Sequence, residues 1–321
     1  MEVEKSTNLE DFQSYLDKYP NGAFAPLAQR HLAESMEAAA VKKRAFEDDQ
    51  EFRATLHSRF AYVRTDRPDS AKRYRLILRD GAGEHILLAS EGAITSPALS
   101  PNGNSLAYVS FEDGASAIYV QDLRTGSRRL VSADRGINAS PSWSPDGRKL
   151  ALTLGSTNID VWVLDVETGA LTRITDDPGE DKEAVWTPDG LALYFTSERS
   201  GTPQIYRVEL RAPKSPQRIT LASDYAAHPG LSPDGSQLVM TSLRDGHYWL
   251  AVQNLVTGAT SAVCTVERDT AARFGPKGDM LVYSEPSGSH TVIVVTPAGK
   301  CEKQILRVED ADLADPTVDY R

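Results

Sequence analysis

The chain predicts an all-β fold, a six-bladed β-propeller with four-stranded blades, and three observations carry that prediction. A short phrase returns five times, as Ser100-Pro101-Asn102-Gly103, Ser144-Pro145-Asp146-Gly147, Thr187-Pro188-Asp189-Gly190, Ser232-Pro233-Asp234-Gly235 and Gly275-Pro276-Lys277-Gly278. Its prolines lie 44, 43, 45 and 43 residues apart, a period that suits one four-stranded blade. The two ends of the repeat region hold fragments that complete each other.

Each phrase is a turn. Proline presets φ at the second position, Asp or Asn tolerates the third, and glycine accepts the positive φ that closes a hairpin. A β-rich segment follows each turn, as in Leu106-Ala107-Tyr108-Val109-Ser110 or Leu193-Tyr194-Phe195-Thr196. About ten residues on comes another apolar run, such as Ala117-Ile118-Tyr119-Val120 or Asp160-Val161-Trp162-Val163, and three copies run into a Thr-Gly turn at Thr125, Thr168 and Thr257. An outer strand then closes the unit, and the four are labelled A to D from the axis outward.

The ends set the number of blades. Residues 59–90 read as B, C and D strands, with Phe60-Ala61-Tyr62-Val63, Tyr74 to Leu78 and Ile86-Leu87-Leu88, and with no A strand in front. Pro316-Thr317-Val318-Asp319 matches the start of an A strand, like Pro97, Pro141 and Pro229, with nothing behind it. The sixth blade is thus expected to join both ends of the propeller, spanning residues 59–321. An open ring would expose strand edges.

Residues 1–46 predict a helical hairpin. Leu9, Phe12, Tyr15 and Leu16 share one helical face, Tyr19-Pro20-Asn21-Gly22 stops that helix, and 23–46 reads as a second, Ala-rich helix. Residues 47–58 are charged, a linker or a helix extension. With 321 residues and 40% hydrophobic content, the chain can bury a large core beside this small unit. A net charge of −10 argues against nonspecific nucleic-acid binding, which needs clustered Lys and Arg. No apolar run of transmembrane length and no signal-peptide core is present, so membrane insertion is not expected. Cys264 and Cys301 fall at different points of the outer strand region in adjacent blades; a disulfide is compatible with the spacing, and two unpaired structural thiols are the preferred reading.

No HExxH, CxxC, P-loop or GxSxG occurs, so no catalytic residue, cofactor or metal site is assigned and the chain reads as not an enzyme. Gly81-Ala82-Gly83 lies between strands and reads as a hairpin turn. His228, His247 and His290 belong to loops of one face but lack supporting carboxylate motifs, and read as surface or supporting histidines rather than metal ligands. Trp143, Trp186 and Trp162 read as packing between blades.

The D-to-A connections gather at one mouth of the channel, roughly at 90–96, 132–139, 175–183, 222–228, 265–271 and 308–315. They hold fourteen acidic residues against Arg135, Lys182 and Arg268. The acids concentrate at Asp176, Asp177, Glu180, Asp181 and Glu183, and at Glu309, Asp310, Asp312 and Asp315. Such a rim attracts cationic ligands or basic peptide segments. Asp181, Glu183, His228, Asp269 and Asp315, one or three residues before the strand-A proline position, are expected nearest the channel and form the candidate partner-binding site.

The LSPDG-xx-LAY-x-S text resembles the TolB-type propeller, a WD-like repeat family, most closely along Thr95 to Glu112 and Ile118-Tyr119-Val120-Gln121-Asp122-Leu123. The resemblance covers roughly residues 59–321. Residues 1–58 instead resemble tetratricopeptide-related hairpins, through Phe12, Tyr15, Leu16, Tyr19, Pro20, Gly22, Phe24 and Ala28. The resemblance implies a noncatalytic scaffold or sensor module that binds a protein or peptide, among its partners an envelope lipoprotein, in the periplasm. The absence of a signal peptide favours the cytoplasm if the chain is complete; the periplasm is the adopted expectation. The alternative is a substrate-gating propeller of a peptidase-like enzyme whose catalytic domain is absent from this chain.

Overall fold

The structure, a computed structural model, describes residues 9–18, 20, 25–26, 28–30, 33, 59–66, 72–221, 223–287, 290–306 and 311–318. The chain divides into two compact units, Met1–Ala54 and Thr55–Arg321. In the first, α1 (Leu9–Lys18) forms where the apolar spacing predicts a helix, and the Gln13 amide bridges one turn to Asp17 at 2.9 Å. Residues 25–26 and 28–30 are helical. The rest of the expected second helix and the 47–58 linker lie largely outside the described residues.

The second unit is six four-stranded sheets. Blade I holds β1 (Phe60–Asp66), β2 (Arg73–Asp80) and β3 (Gly83–Ser90). Blade II is β4 (Ile94–Leu99), β5 (Ser105–Ser110), β6 (Ala117–Asp122) and β7 (Arg128–Ser132). Blade III is β8 (Ile137–Trp143), β9 (Lys149–Gly155), β10 (Asp160–Asp165) and β11 (Leu171–Arg173). Blade IV is β12 (Asp181–Trp186), β13 (Ala192–Ser197), β14 (Gln204–Glu209) and β15 (Gln217–Arg218). Blade V is β16 (Ala226–Leu231), β17 (Gln237–Arg244), β18 (His247–Asn254) and β19 (Thr260–Val266). Blade VI is β20 (Ala272–Phe274), β21 (Met280–Ser287), β22 (His290–Pro297) and β23 (Gln304–Leu306). The last strand, β24 (Ala311–Val318), returns to blade I as its inner strand.

That return closes the ring as the two sequence fragments require. β24 pairs antiparallel with β1, setting Val318 opposite Phe60, Thr317 opposite Ala61 and Ala314 opposite Val63. Leu313 is fully buried, so closure contributes packing as well as ladder hydrogen bonds.

The repeated phrase forms the A-to-B turn of blades II to VI. In blade III, Ser144 Oγ donates to Asp146 Oδ1 at 2.6 Å, the same oxygen accepts the Arg148 amide at 3.1 Å, and Gly147 takes φ 70°. A side chain at that φ would be strained.

Hydrophobic clusters straddle neighbouring blades. Ala61 and Leu76 of blade I meet Ile94 and Leu106 of blade II; Val239 and Leu250 of blade V meet Phe274 and Leu281 of blade VI. Middle strands are therefore covered on both faces, and β13 is buried at all six residues while β11 is exposed at all three. Trp143 and Trp186 pack between blades as expected, and each indole N–H also reaches back one blade, to the Ala98 and Ser142 carbonyls at 2.9 and 3.0 Å.

One expectation is corrected. Cys264 and Cys301 form a disulfide, with Cα atoms 5.0 Å apart. Cys264 is a buried residue of β19, and Cys301 lies in the turn that leads into β23. The two positions differ along their repeats, but neighbouring blades bring the outer strand of one beside the turn into the outer strand of the next.

Candidate functional site at the channel mouth

Ladder register shows how the inner strands build the mouth. Five of them carry a bulge, in which two residues oppose one on strand B. Ser96-Pro97 lies opposite Tyr108, Ser140-Pro141 opposite Leu152, Glu183-Ala184 opposite Phe195, His228-Pro229 opposite Met240, and Asp315-Pro316 opposite Tyr62. The first residue of each bulge adopts a left-handed backbone, with φ of 51°, 50°, 62°, 57° and 51° in that order. None is glycine, so each stores strain, about 1–2 kcal/mol per residue. Blade VI lacks the bulge, since β20 begins only at Ala272. All five bulge residues line a cavity of about 770 Å³ along the axis.

Hydroxyls latch the bulges to the preceding blade. The Glu183 amide donates to Thr153 Oγ1 at 3.0 Å, and the His228 amide donates to Thr196 Oγ1 at 3.1 Å. Thr270 and Thr241 exchange contacts in the same way between blades V and VI. Thr153, Thr196 and Thr241 occupy one strand-B position, a repeat that the sequence displays in Leu-Thr, Phe-Thr and Met-Thr pairs.

Three of the sequence candidates form one ionic chain. His228 Nδ1 lies 3.0 Å from Glu183 Oε1, and His228 Nε2 lies 3.2 Å from Asp269 Oδ2. The imidazole thus joins blades IV, V and VI. Burial alone would lower the His228 pKa, but the hydrogen bonds and charges of Asp269 and Glu183 outweigh it and push it up to about 9. Burial raises Glu183 and Asp269, and in both the bond and charge of His228 win and leave the carboxyl below its usual range. Tyr225 donates to Asp269, and burial followed by that hydrogen bond pushes its phenol up. Thr196 Oγ1 donates to Glu183 Oε2 at 2.8 Å. With both ring nitrogens engaged by carboxylates, His228 offers no lone pair to a metal or to a nucleophile's proton; among the described residues no His, Cys, Asp and Glu cluster is arranged for a metal.

The other two candidates separate. Asp315 lines the cavity from blade I, and its Oδ2 accepts the Ser96 amide at 3.0 Å. Asp181 does not line it: it is fully buried, 2.7 Å from Arg199, and burial pushes its carboxyl up against the opposing effects of Ser197 and Arg199. Asp181 opens β12 and pairs with Ser197, so the ladder fixes it inside blade IV. Asp269 stands at the same distance from its strand-A position but lies outside β20, free to turn toward His228.

Cations inside and outside it pair with the acidic connection of blade IV. Arg173 pairs with Asp176 at 2.7 Å, Lys182 with Glu180 at 2.9 Å, Arg199 with Asp181 and His228 with Glu183. A tally of the connections alone omits Arg173 and Arg199. Glu309 and Asp310 of the other acidic connection lie outside the described residues.

A family model described as the TolB beta propeller domain matches residues 47–318. The Tol-Pal system protein TolB of Xylella fastidiosa (strain Temecula1 / ATCC 700964) is 35% identical over 268 residues, covering 82% of this chain and 61% of the relative. The same-named protein of Francisella tularensis subsp. mediasiatica (strain FSC147) is 33% identical over 240 residues, 70% of this chain and 54% of the relative. This chain therefore spans little more than half the length of these relatives. The crystal structure of TolB from Acinetobacter baumannii superposes with a TM-score of 0.76 at 33% identity, over 82% of this chain and 67% of that one. Repeat phrase, blade number, ring closure and these likenesses agree: the chain belongs to the TolB β-propeller family.

Proposed function

We propose that the propeller is a noncatalytic interaction module of the cell envelope that holds a protein or peptide partner at the D-to-A mouth of its channel. The observation that carries this reading is the ring of five strained, non-glycine residues that line one cavity. Blade VI builds its sheet without such a bulge, and strained backbone concentrates where proteins bind or react. Glu183, His228, Asp269 and Asp315 form the recognition surface, and Asp181 supports it through Arg199.

The relatives' name places them in the Tol-Pal system, which supports an envelope partner, with a lipoprotein as one candidate, and a periplasmic setting. The disulfide supports an oxidising compartment. No helix among the described residues is long and apolar enough to cross a membrane. An acidic rim that draws a basic partner surface remains part of the proposal. Asp177 supports it: it accepts the Gly179 amide at 2.9 Å and pairs with no cation among the described residues.

The test is affinity capture from envelope and cytosolic extracts with the full chain, wild type beside Asp315→Arg at the mouth and Arg148→Glu on an A-to-B turn at the other end. The expected result is an envelope protein retained by wild type and Arg148→Glu and lost with Asp315→Arg. Equal capture by all three proteins would move the site away from the mouth.

A further inference from the structure

One register position of the inner strand, two residues past the mouth ring, lines the channel with Ala98, Ser142, Val185, Gly230, Arg273 and Thr317. Five are small or short. Blade VI places an arginine there.

Arg273 is half-buried, and its Nη1 donates to the neighbouring Ala272 carbonyl at 3.0 Å. That bond leaves most of the five guanidinium N–H donors available. Among the described residues no carboxylate pairs with it. The carboxylates of the same cavity are committed elsewhere: Glu183 and Asp269 to His228, and Asp315 to the Ser96 amide. Arg273 is thus not a counter-ion in the resting channel.

The adjacent blades leave room and offer a donor. At Gly230 of blade V a Cβ would stand 2.7 Å from the Ala272 oxygen and 2.8 Å from Val239 Cγ1, so the position beside Arg273 stays bare. Blade I contributes the Thr317 hydroxyl at the same level. A partly desolvated guanidinium without a counter-ion is costly in isolation, and its planar fork fits a carboxylate through two parallel hydrogen bonds. Two strand residues place it about 7 Å inside the rim, within reach of one inserted side chain or chain terminus.

We propose that Arg273 anchors a carboxylate that the partner inserts into the channel, an inference that rests on the mouth being the docking site. The outer rim and the channel interior then select opposite charges on one partner.

The test uses the full chain and three short Gly/Ser peptides followed by NMR titration at low salt. One is capped at both ends with a single central Glu, one is identical with Gln, and one has Gln with a free C-terminal carboxylate. Wild type is expected to bind the Glu peptide or the free-terminus peptide about tenfold more tightly than the capped Gln peptide, and which of the two gains identifies the carboxylate's source. In Arg273→Gln the preference falls to within about twofold at an unchanged melting temperature, and Arg273→Lys keeps part of it.

Absence of preference in wild type, or full preference in Arg273→Gln, overturns the inference. If that happens while Asp315→Arg still abolishes envelope capture, the mouth stands and the anchor falls. If Arg273→Gln loses the preference while capture ignores Asp315→Arg, the anchor stands and the mouth falls.

Discussion

Blades IV to VI and blades I to III share one inner-strand frame and put opposite chemistry on it. In the first half, Glu183, His228 and Asp269 close into a half-buried ionic chain across three blades. In the second, Asp315, Ser96 and Ser140 face the same cavity with one backbone contact between Asp315 and Ser96 and no ion pair among the described residues. One half meets the cavity with its charges already paired, and the other meets it without such pairing. Backbone strain is common to both, so strain alone does not separate them; charge pairing does.

The largest effect is expected at the seam, because the open half depends on it. Deleting residues 311–321 removes β24, with buried Ala311, Leu313 and Val318, and leaves β1 unpaired along its inner edge. Thermal unfolding should lose its cooperativity or its midpoint should fall by more than about 15 °C. An unchanged midpoint would mean that the ring does not need its closing strand.

Next comes His228. Replacing it with Leu leaves two largely buried carboxylates facing each other without a cation, a loss of about 3–5 kcal/mol and roughly 10 °C in melting temperature. The pH dependence sharpens this. His228 is raised to about 9 in the folded state, above about 6.5 when unfolded. Its contribution is therefore complete below about pH 6.5 and disappears as pH rises through 9, amounting to about 3 kcal/mol. Glu183 and Asp269 are lowered, so theirs is present above about pH 4 and is lost as pH falls. Denaturant melts should show wild type losing stability between pH 6.5 and 9 with His228→Gln flat over that range. Parallel curves would show that the imidazolium is not what joins the three blades.

The disulfide strengthens the same half from outside, tying blade V to blade VI. Its 37-residue separation predicts a loss of about 2–4 kcal/mol on reduction or in Cys301→Ser. Differential scanning calorimetry with and without reductant measures it. A Cys301→Ser protein as stable as wild type would mean that the buried Cys264 contributes by packing alone.

Much of this was legible in the residues. The Pro-Asx-Gly turns marked the blades, and the fragments at 59–90 and 316–319 marked the seam, because hairpin chemistry is local. The residue before the strand-A proline position pointed to Glu183, His228 and Asp315 as channel-lining, since the bulge repeats with the phrase. Asp181 and Asp269 looked equivalent and were not; whether the strand has begun at that residue decides which way the side chain faces, and the D-to-A connections vary too much to show it. Arg273 was there to be found by aligning it with Ala98, Ser142, Val185, Gly230 and Thr317, but it lies past the turnless mouth where no motif points. The Cys264–Cys301 bond was hidden because it depends on how blades splay at the rim, a tertiary property.

The smallest effect bears most directly on the comparison. Ser96 and Ser140 hold φ of 51° and 50°, and among the described residues neither side chain forms a hydrogen bond. Glycine at either position removes about 1–2 kcal/mol of left-handed strain and returns about 0.5–1 kcal/mol of unfolded-chain entropy. Ser140→Gly should therefore raise the melting temperature by about 1–2 °C, while the same change at His228 should lower it. If Ser140→Gly instead costs more than about 1 kcal/mol, its hydroxyl is part of the framework and the two halves do not differ in kind. If it stabilises the ring and weakens partner capture, the serine persists at a cost to folding because a partner uses it, the trade expected of a binding surface and not of a scaffold.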